Sequence, residues 1–105
     1  MEFWIIPKRH DNPIINLTKF EKRVLAETLK KSLTALRLLM NDPVYNYGFH
    51  ISLNKKTKDY YHWHLEVYPK LLIWAGFEKN TGVFINTVPP ERVALEVRKI
   101  IKNKL

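Results

Sequence analysis

The chain has 105 residues and a formal net charge of +8, with 46% hydrophobic residues, four histidines and no cysteine. That length supports one hydrophobic core, and the absence of thiols excludes disulfides and thiolate metal sites, so any metal must be held by imidazole and carboxylate. No apolar run approaches a membrane span, and Met1-Glu2-Phe3-Trp4 has neither the basic start nor the apolar stretch of a signal peptide, so a soluble, cytoplasmic protein is the expectation.

In chain order, Phe3 to Ile6 reads as a short strand running into Pro7-Lys8-Arg9-His10, and Asp11-Asn12-Pro13 as a turn. Thr18 with Glu21 is a capping-box signature, and Phe20, Leu25, Leu29, Leu33, Leu36 and Met40 recur at helical spacing, predicting a long amphipathic helix that Asn41-Asp42-Pro43 stops. Tyr45 to Leu53 alternates with an apolar residue at every odd position. Asn54 to Asp59 is a polar connection, and His62 to Tyr68 alternates again until Pro69. Leu71 to Trp74 leads to Ala75-Gly76-Phe77-Glu78, and Asn80-Thr81-Gly82 turns into Val83-Phe84-Ile85-Asn86. Pro90 beside Glu91 opens a last helix with Val93, Val97, Ile100 and Ile101 on one side. This order predicts an α+β domain over residues 1–105, with an antiparallel sheet, a long helix and a carboxy-terminal helix. The cationic clusters Lys30-Lys31, Lys55-Lys56 with Lys58, and Arg98-Lys99 with Lys102 and Lys104 lack interleaved aromatic residues. They read first as a solvated surface, which is enough to attract a nucleotide phosphate and only weakly signals a nucleic-acid groove.

The chemistry is concentrated in His62-Trp63-His64-Leu65-Glu66-Val67-Tyr68. On a strand, His62, His64 and Glu66 share one face while Trp63, Leu65 and Val67 share the other, so one face packs and the other is free for a ligand. A lone His-x-His is equally compatible with a half-buried strand whose polar face meets water. What raises it above that is His50 on the polar face of the preceding strand. In a hairpin, directly opposed residues share a face, so His50 falls opposite either His64 or His62, and His50, His62, His64 and Glu66 converge in both registers. Two or three imidazoles and a carboxylate are a donor set for zinc or iron(II), and the central His64 could attack phosphorus. His10, after Lys8 and Arg9, is a second candidate phosphate contact.

Phe3-Trp4-Ile5-Ile6-Pro7-Lys8-Arg9-His10 before a long helix, with a strand pair ending in His-x-His, resembles one histidine-triad unit. His62-Trp63-His64-Leu65-Glu66-Val67-Tyr68-Pro69, Ala75-Gly76-Phe77-Glu78, Thr81-Gly82-Val83-Phe84-Ile85-Asn86 and Pro90-Glu91, in that order, resemble the carboxy-terminal half of galactose-1-phosphate uridylyltransferases, over nearly the whole chain. The resemblance implies nucleotidyl transfer between a nucleotide sugar and a hexose 1-phosphate through a histidine-bound intermediate. The family's nucleophile lies in the amino-terminal unit, in a His-Pro-His-x-Gln motif that this chain lacks. The resemblance also implies that His50 and His64 help hold a structural metal, and that Trp74, Ala75, Gly76, Phe77 and Glu78 contact the nucleotide sugar, in part across a dimer. Glu66 stands where some members have a ligand histidine, and Thr87 replaces the proline usual after Ile-Asn. Glu78 suits a sugar diol, to which a carboxylate accepts two directed hydrogen bonds, and Gly76 permits close backbone approach.

Two enzymatic readings follow, with a non-catalytic nucleotide-binding module as a third. In the first, the chain is a transferase half that contacts substrate and depends on a separate amino-terminal half or on a second copy. In the second, it is a stand-alone histidine-triad enzyme, with His62 and Glu66 at the outer positions and His64 as nucleophile.

Overall fold

The computed structural model describes residues 2–10, 16–52, 54, 60–70, 76–83 and 88–104. The elements among them are β1 (Phe3–Ile5), α1 (Lys19–Met40), β2 (Tyr45–His50), β3 (His64–Pro69), α2 (Gly76–Thr81) and α3 (Pro90–Lys104). The three strands form an antiparallel sheet in the order β1-β3-β2, which gives the α+β class expected. Asp11-Asn12-Pro13, Leu53 with residues 55–59, Leu71 to Ala75 and Phe84 to Thr87 lie outside the described residues.

Strand β3 is central because its odd-numbered side chains are apolar and fully buried: Leu65 and Val67 are completely enclosed, and Trp63 just before the strand is 2% exposed. Enclosing a Leu or Val side chain stabilises by about 1.5–3 kcal/mol each. With Ala35 and Leu36 of α1 these residues form the core, and the Trp63 ring meets Phe49 of β2 at 6.2 Å between centroids. Helix α1 also lies against α3.

Both ends of α1 follow from local chemistry. The Thr18 hydroxyl accepts from the Glu21 N–H at 3.1 Å, and the Glu21 carboxylate accepts from the Thr18 N–H at 3.1 Å, which completes the capping box. At the other end Asn41 (φ 56°) and Asp42 (φ 61°) take left-handed conformations, and both N–H groups return to the Arg37 carbonyl. Asn and Asp tolerate that region better than other non-glycine residues, and Pro43 then prevents any continuation. One expected core position differs. Phe20 is 65% exposed, because it stands on the first turn ahead of the face that reaches Ala35 and Leu36, and the Arg23 guanidinium lies 5.8 Å from its ring centroid. Leu25, Leu29 and Leu33 are partly buried.

Arg9 fastens the segment after β1 to this helix start, donating from Nε to Glu21 Oε2 at 3.1 Å and from Nη2 to Oε1 at 2.8 Å. The Arg9 bonds, with the Thr18 N–H bond, hold the Glu21 carboxyl at about 2. A depressed carboxyl contributes stability that is complete above its ordinary value of 4.5 and disappears as pH falls through about 2. Glu21→Gln should therefore be less stable than the wild type at neutral pH and approach it below pH 2, in urea titrations across that range. Thr18→Ala should cost about 1 kcal/mol at neutral pH through loss of the cap.

Candidate functional site

The β2–β3 register pairs His50 with His64, Gly48 with Glu66 and Asn46 with Tyr68. Both registers open to the sequence keep the polar side chains on one outer face; in this one Gly48 contributes no side chain opposite Glu66. The His50 and His64 rings stack at 5.2 Å with 8° between planes, and the Trp4 indole lies on the far side of His64 at 4.1 Å and 16°. Trp4 reaches it because β1 pairs Trp4 with Glu66.

Glu66 is the hub of this face. Its Oε1 is 2.8 Å from His64 Nε2, and its Oε2 is 3.1 Å from His50 Nε2 and accepts a hydrogen bond from the Tyr68 hydroxyl. The same hydroxyl is 2.8 Å from His50 Nε2. Glu66 is 8% exposed, the one buried charged residue among those described. A buried carboxylate without partners would be costly; here each oxygen has at least one. The Tyr68 hydrogen bond above all, and the His64 bond after it, hold the Glu66 carboxyl below its usual range against the opposing effect of burial. Reciprocally, the Tyr68 phenol is pushed up to about 12, because losing its proton would break the bond and set two negative groups together.

Ligand atoms of His50, His64 and Glu66 all lie within 4.8 Å of one another. The His64 Nδ1 is 3.3 Å from the His62 carbonyl oxygen, an acceptor only, so Nδ1 carries the hydrogen. That leaves the Nε2 lone pair facing the Glu66 carboxylate, a contact satisfied by a proton on Nε2 or by a cation between the two groups. A ring held through its other nitrogen by a backbone carbonyl is how metal-ligating histidines are oriented. The trio therefore fits a divalent cation of the zinc or iron(II) type, with nitrogen and oxygen donors and no thiolate.

His62 lies away from the trio. It precedes the start of β3, its Nε2 is 2.6 Å from the Pro7 carbonyl oxygen, and its ring lies 4.9 Å from that of His10. The chain beyond β1 draws it off, since antiparallel pairing of Ile5 with Leu65 carries Pro7 alongside the residues before His64. His10 and His62 thus form a second imidazole pair, while Arg9 beside them is engaged by Glu21. Of the expected sugar-contact segment, Gly76 and Phe77 open α2 and Phe77 is 55% exposed; Glu78 is on the same helix, and Trp74 and Ala75 lie outside the described residues. Tyr68 was missed in the sequence, although it occupies the next even position of the alternation that picked out His64 and Glu66.

The fold and this face define an α+β unit with a histidine–carboxylate site on its sheet. No family model matches the chain. It is 40% identical to the ADP-glucose phosphorylase of Arabidopsis thaliana over 102 residues, 94% of this chain and 29% of that protein. The solved structure of that enzyme with bound ADP-glucose superposes with a TM-score of 0.86 at 39% identity, covering 93% of this chain and 33% of the other. The galactose-1-phosphate uridylyltransferase of Thermotoga maritima is 31% identical over 107 residues, 93% of this chain and 34% of that protein. A solved uridylyltransferase superposes with a TM-score of 0.85 at 34% identity, over 99% of this chain and 35% of that one. The chain is homologous to a carboxy-terminal-like piece of proteins of the galactose-1-phosphate uridylyltransferase family, and spans about a third of the length of these relatives.

The Tyr68–Glu66 bond can be read directly. Of the five tyrosines, one should ionise with a midpoint at about 12 in an absorbance titration near 295 nm. That step should be missing in Tyr68→Phe and move down toward 10 in Glu66→Gln. The phenol's stabilising contribution is complete below its ordinary value of 10 and is lost as pH rises through about 12.

Proposed function

We propose that the chain acts as the carboxy-terminal-type domain of a sugar-nucleotide transferase or phosphorylase, contributing contacts to a nucleotide sugar and a cation site built from His50, His64 and Glu66. The observation that carries this reading is the 39% identity, at a TM-score of 0.86, to an enzyme solved with ADP-glucose. The donor trio supports the cation role, and His62, turned to Pro7, is outside it. Exposed Phe77, with Glu78 on the same helix, supports α2 as the sugar-contact segment, together with Trp74 and Ala75 just before it. Hexose 1-phosphate is the second substrate on this reading, a second copy of the chain is a further partner, and catalysis requires an amino-terminal half carrying the nucleophile. Among the described residues no helix is long and apolar enough to cross a membrane, in keeping with a cytoplasmic site of action.

The His62 carbonyl behind His64 Nδ1 also favours a second reading, in which His64 Nε2 attacks an α-phosphate. Glu66 argues against it. A carboxylate 2.8 Å from Nε2 occupies the approach path and repels the incoming phosphate, whereas the same charge attracts a metal ion.

The two readings separate in one set of assays. The isolated chain should not transfer uridylyl from UDP-glucose to galactose 1-phosphate; robust transfer abolished by His64→Ala would establish the second reading. Elemental analysis of protein purified without chelator should find zinc or iron near one equivalent, falling in His50→Ala and His64→Ala and persisting in His62→Ala. Equal loss in all three variants would instead place His62 in the site.

A further inference from the structure

We propose that Tyr68 is the positioning residue of the cation site, holding the Glu66 carboxylate in ligand geometry through the single proton of its hydroxyl. The proposal rests on the reading of His50, His64 and Glu66 as cation ligands.

The hydroxyl donates its one proton to Glu66 Oε2 on β3 and lies 2.8 Å from His50 Nε2 on β2. Without it, Oε2 keeps only His50 Nε2 at 3.1 Å, and Glu66 is fixed firmly through Oε1 alone. A carboxylate held at one oxygen can swing about its terminal torsion, which is broad and poorly restrained. The other two ligands have independent supports: His64 is clamped between the Trp4 and His50 rings and bonded at Nδ1, and the His50 ring stacks on His64, whereas Glu66 Oε2 relies on Tyr68. Tyr68 is an alternate position along from Glu66 on a strand whose opposite face is buried, so its reach is set by the same register that aligns His50 with His64. As a proton donor to the carboxylate, the phenol acts on the ligand without itself entering the donor set. Outer partners of this kind typically contribute 10–100-fold to metal affinity.

The test is a cobalt(II) titration of the full chain, followed by its visible absorption and by calorimetry, in wild type, Tyr68→Phe, Tyr68→Gln and Tyr47→Phe. Tyr68→Phe should keep one equivalent of cobalt and the same band shape while the dissociation constant rises by about 10-fold or more. Its far-UV circular dichroism should match the wild type, its cobalt-free thermal midpoint should fall slightly with the loss of the Glu66 bond, and Tyr47→Phe, on the face of β2 opposite the trio, should leave affinity unchanged. Tyr68→Gln, which returns an N–H donor, should recover part of the loss; equal loss in both variants would show that a donor at this position does not restore the site and overturn the positioning role. Equal affinity in wild type and Tyr68→Phe would overturn the proposal and leave the cation site standing. An altered band shape in Tyr68→Phe would make Tyr68 a ligand, which also overturns it. No cobalt binding by the wild type would remove the cation site and the proposal together.

Discussion

The pairing of His50 with His64 across the β2–β3 ladder is the constraint on which the rest depends. Side chains alternate strictly along a strand, so a slip of one residue would send Leu65 and Val67 to the outer face and Glu66 into the core. The first exchange forfeits about 1.5–3 kcal/mol per apolar side chain, and the second buries a carboxylate among aliphatic groups. The packed face therefore fixes the parity of the register, and the polar face inherits its arrangement. The histidine cluster needs no conformational preference of its own to assemble.

The inherited arrangement brings together groups whose charges must be balanced. Glu66 is nearly buried at the hub, between two imidazoles and a phenol. Placing histidine there instead would give three imidazoles, which can also ligate a metal but bring no negative charge. With glutamate the same space is negative and calls for a proton or a metal ion. One residue type at one strand position thus sets the charge of a face whose backbone it does not alter.

Much of this was legible in the residue order. Alternation in Tyr45 to Leu53 and His62 to Tyr68 located both long strands and assigned His50, His64 and Glu66 to one face, and Thr18 with Glu21 marked the start of α1 within a residue. Alternation could not say where pairing begins, and so it grouped His62 with its neighbours although β3 starts at His64. His62 is turned instead by a carbonyl that is 55 residues away in sequence, a contact with no local signature. Helical spacing overreached in a similar way at Phe20, since periodicity identifies a face without showing how far along the helix that face is covered. Tyr68 lay in plain view at the right parity, but tyrosine in a strand reads first as packing, and only its hydroxyl's position across from His50 gives it a polar role.

The exposed apolar residues extend the same reasoning to the sheet's outer edges. Among the described residues strand β2 borders the sheet, and Tyr45, Tyr47 and Phe49 are each between 39% and 51% exposed along it, with Trp4 at 51% on the opposite border. Edge strands of soluble proteins usually carry charges or proline against unwanted pairing; Tyr45–His50 contains no lysine, arginine, aspartate, glutamate or proline. This uncharged border fits a unit that spans about a third of its relatives' length, for in a longer or paired assembly such a strand has something to lie against. Trp4, stacked on His64 with half its surface in solvent, lies at the other border on β1, so the ring column links that edge to the chemistry at the sheet's centre.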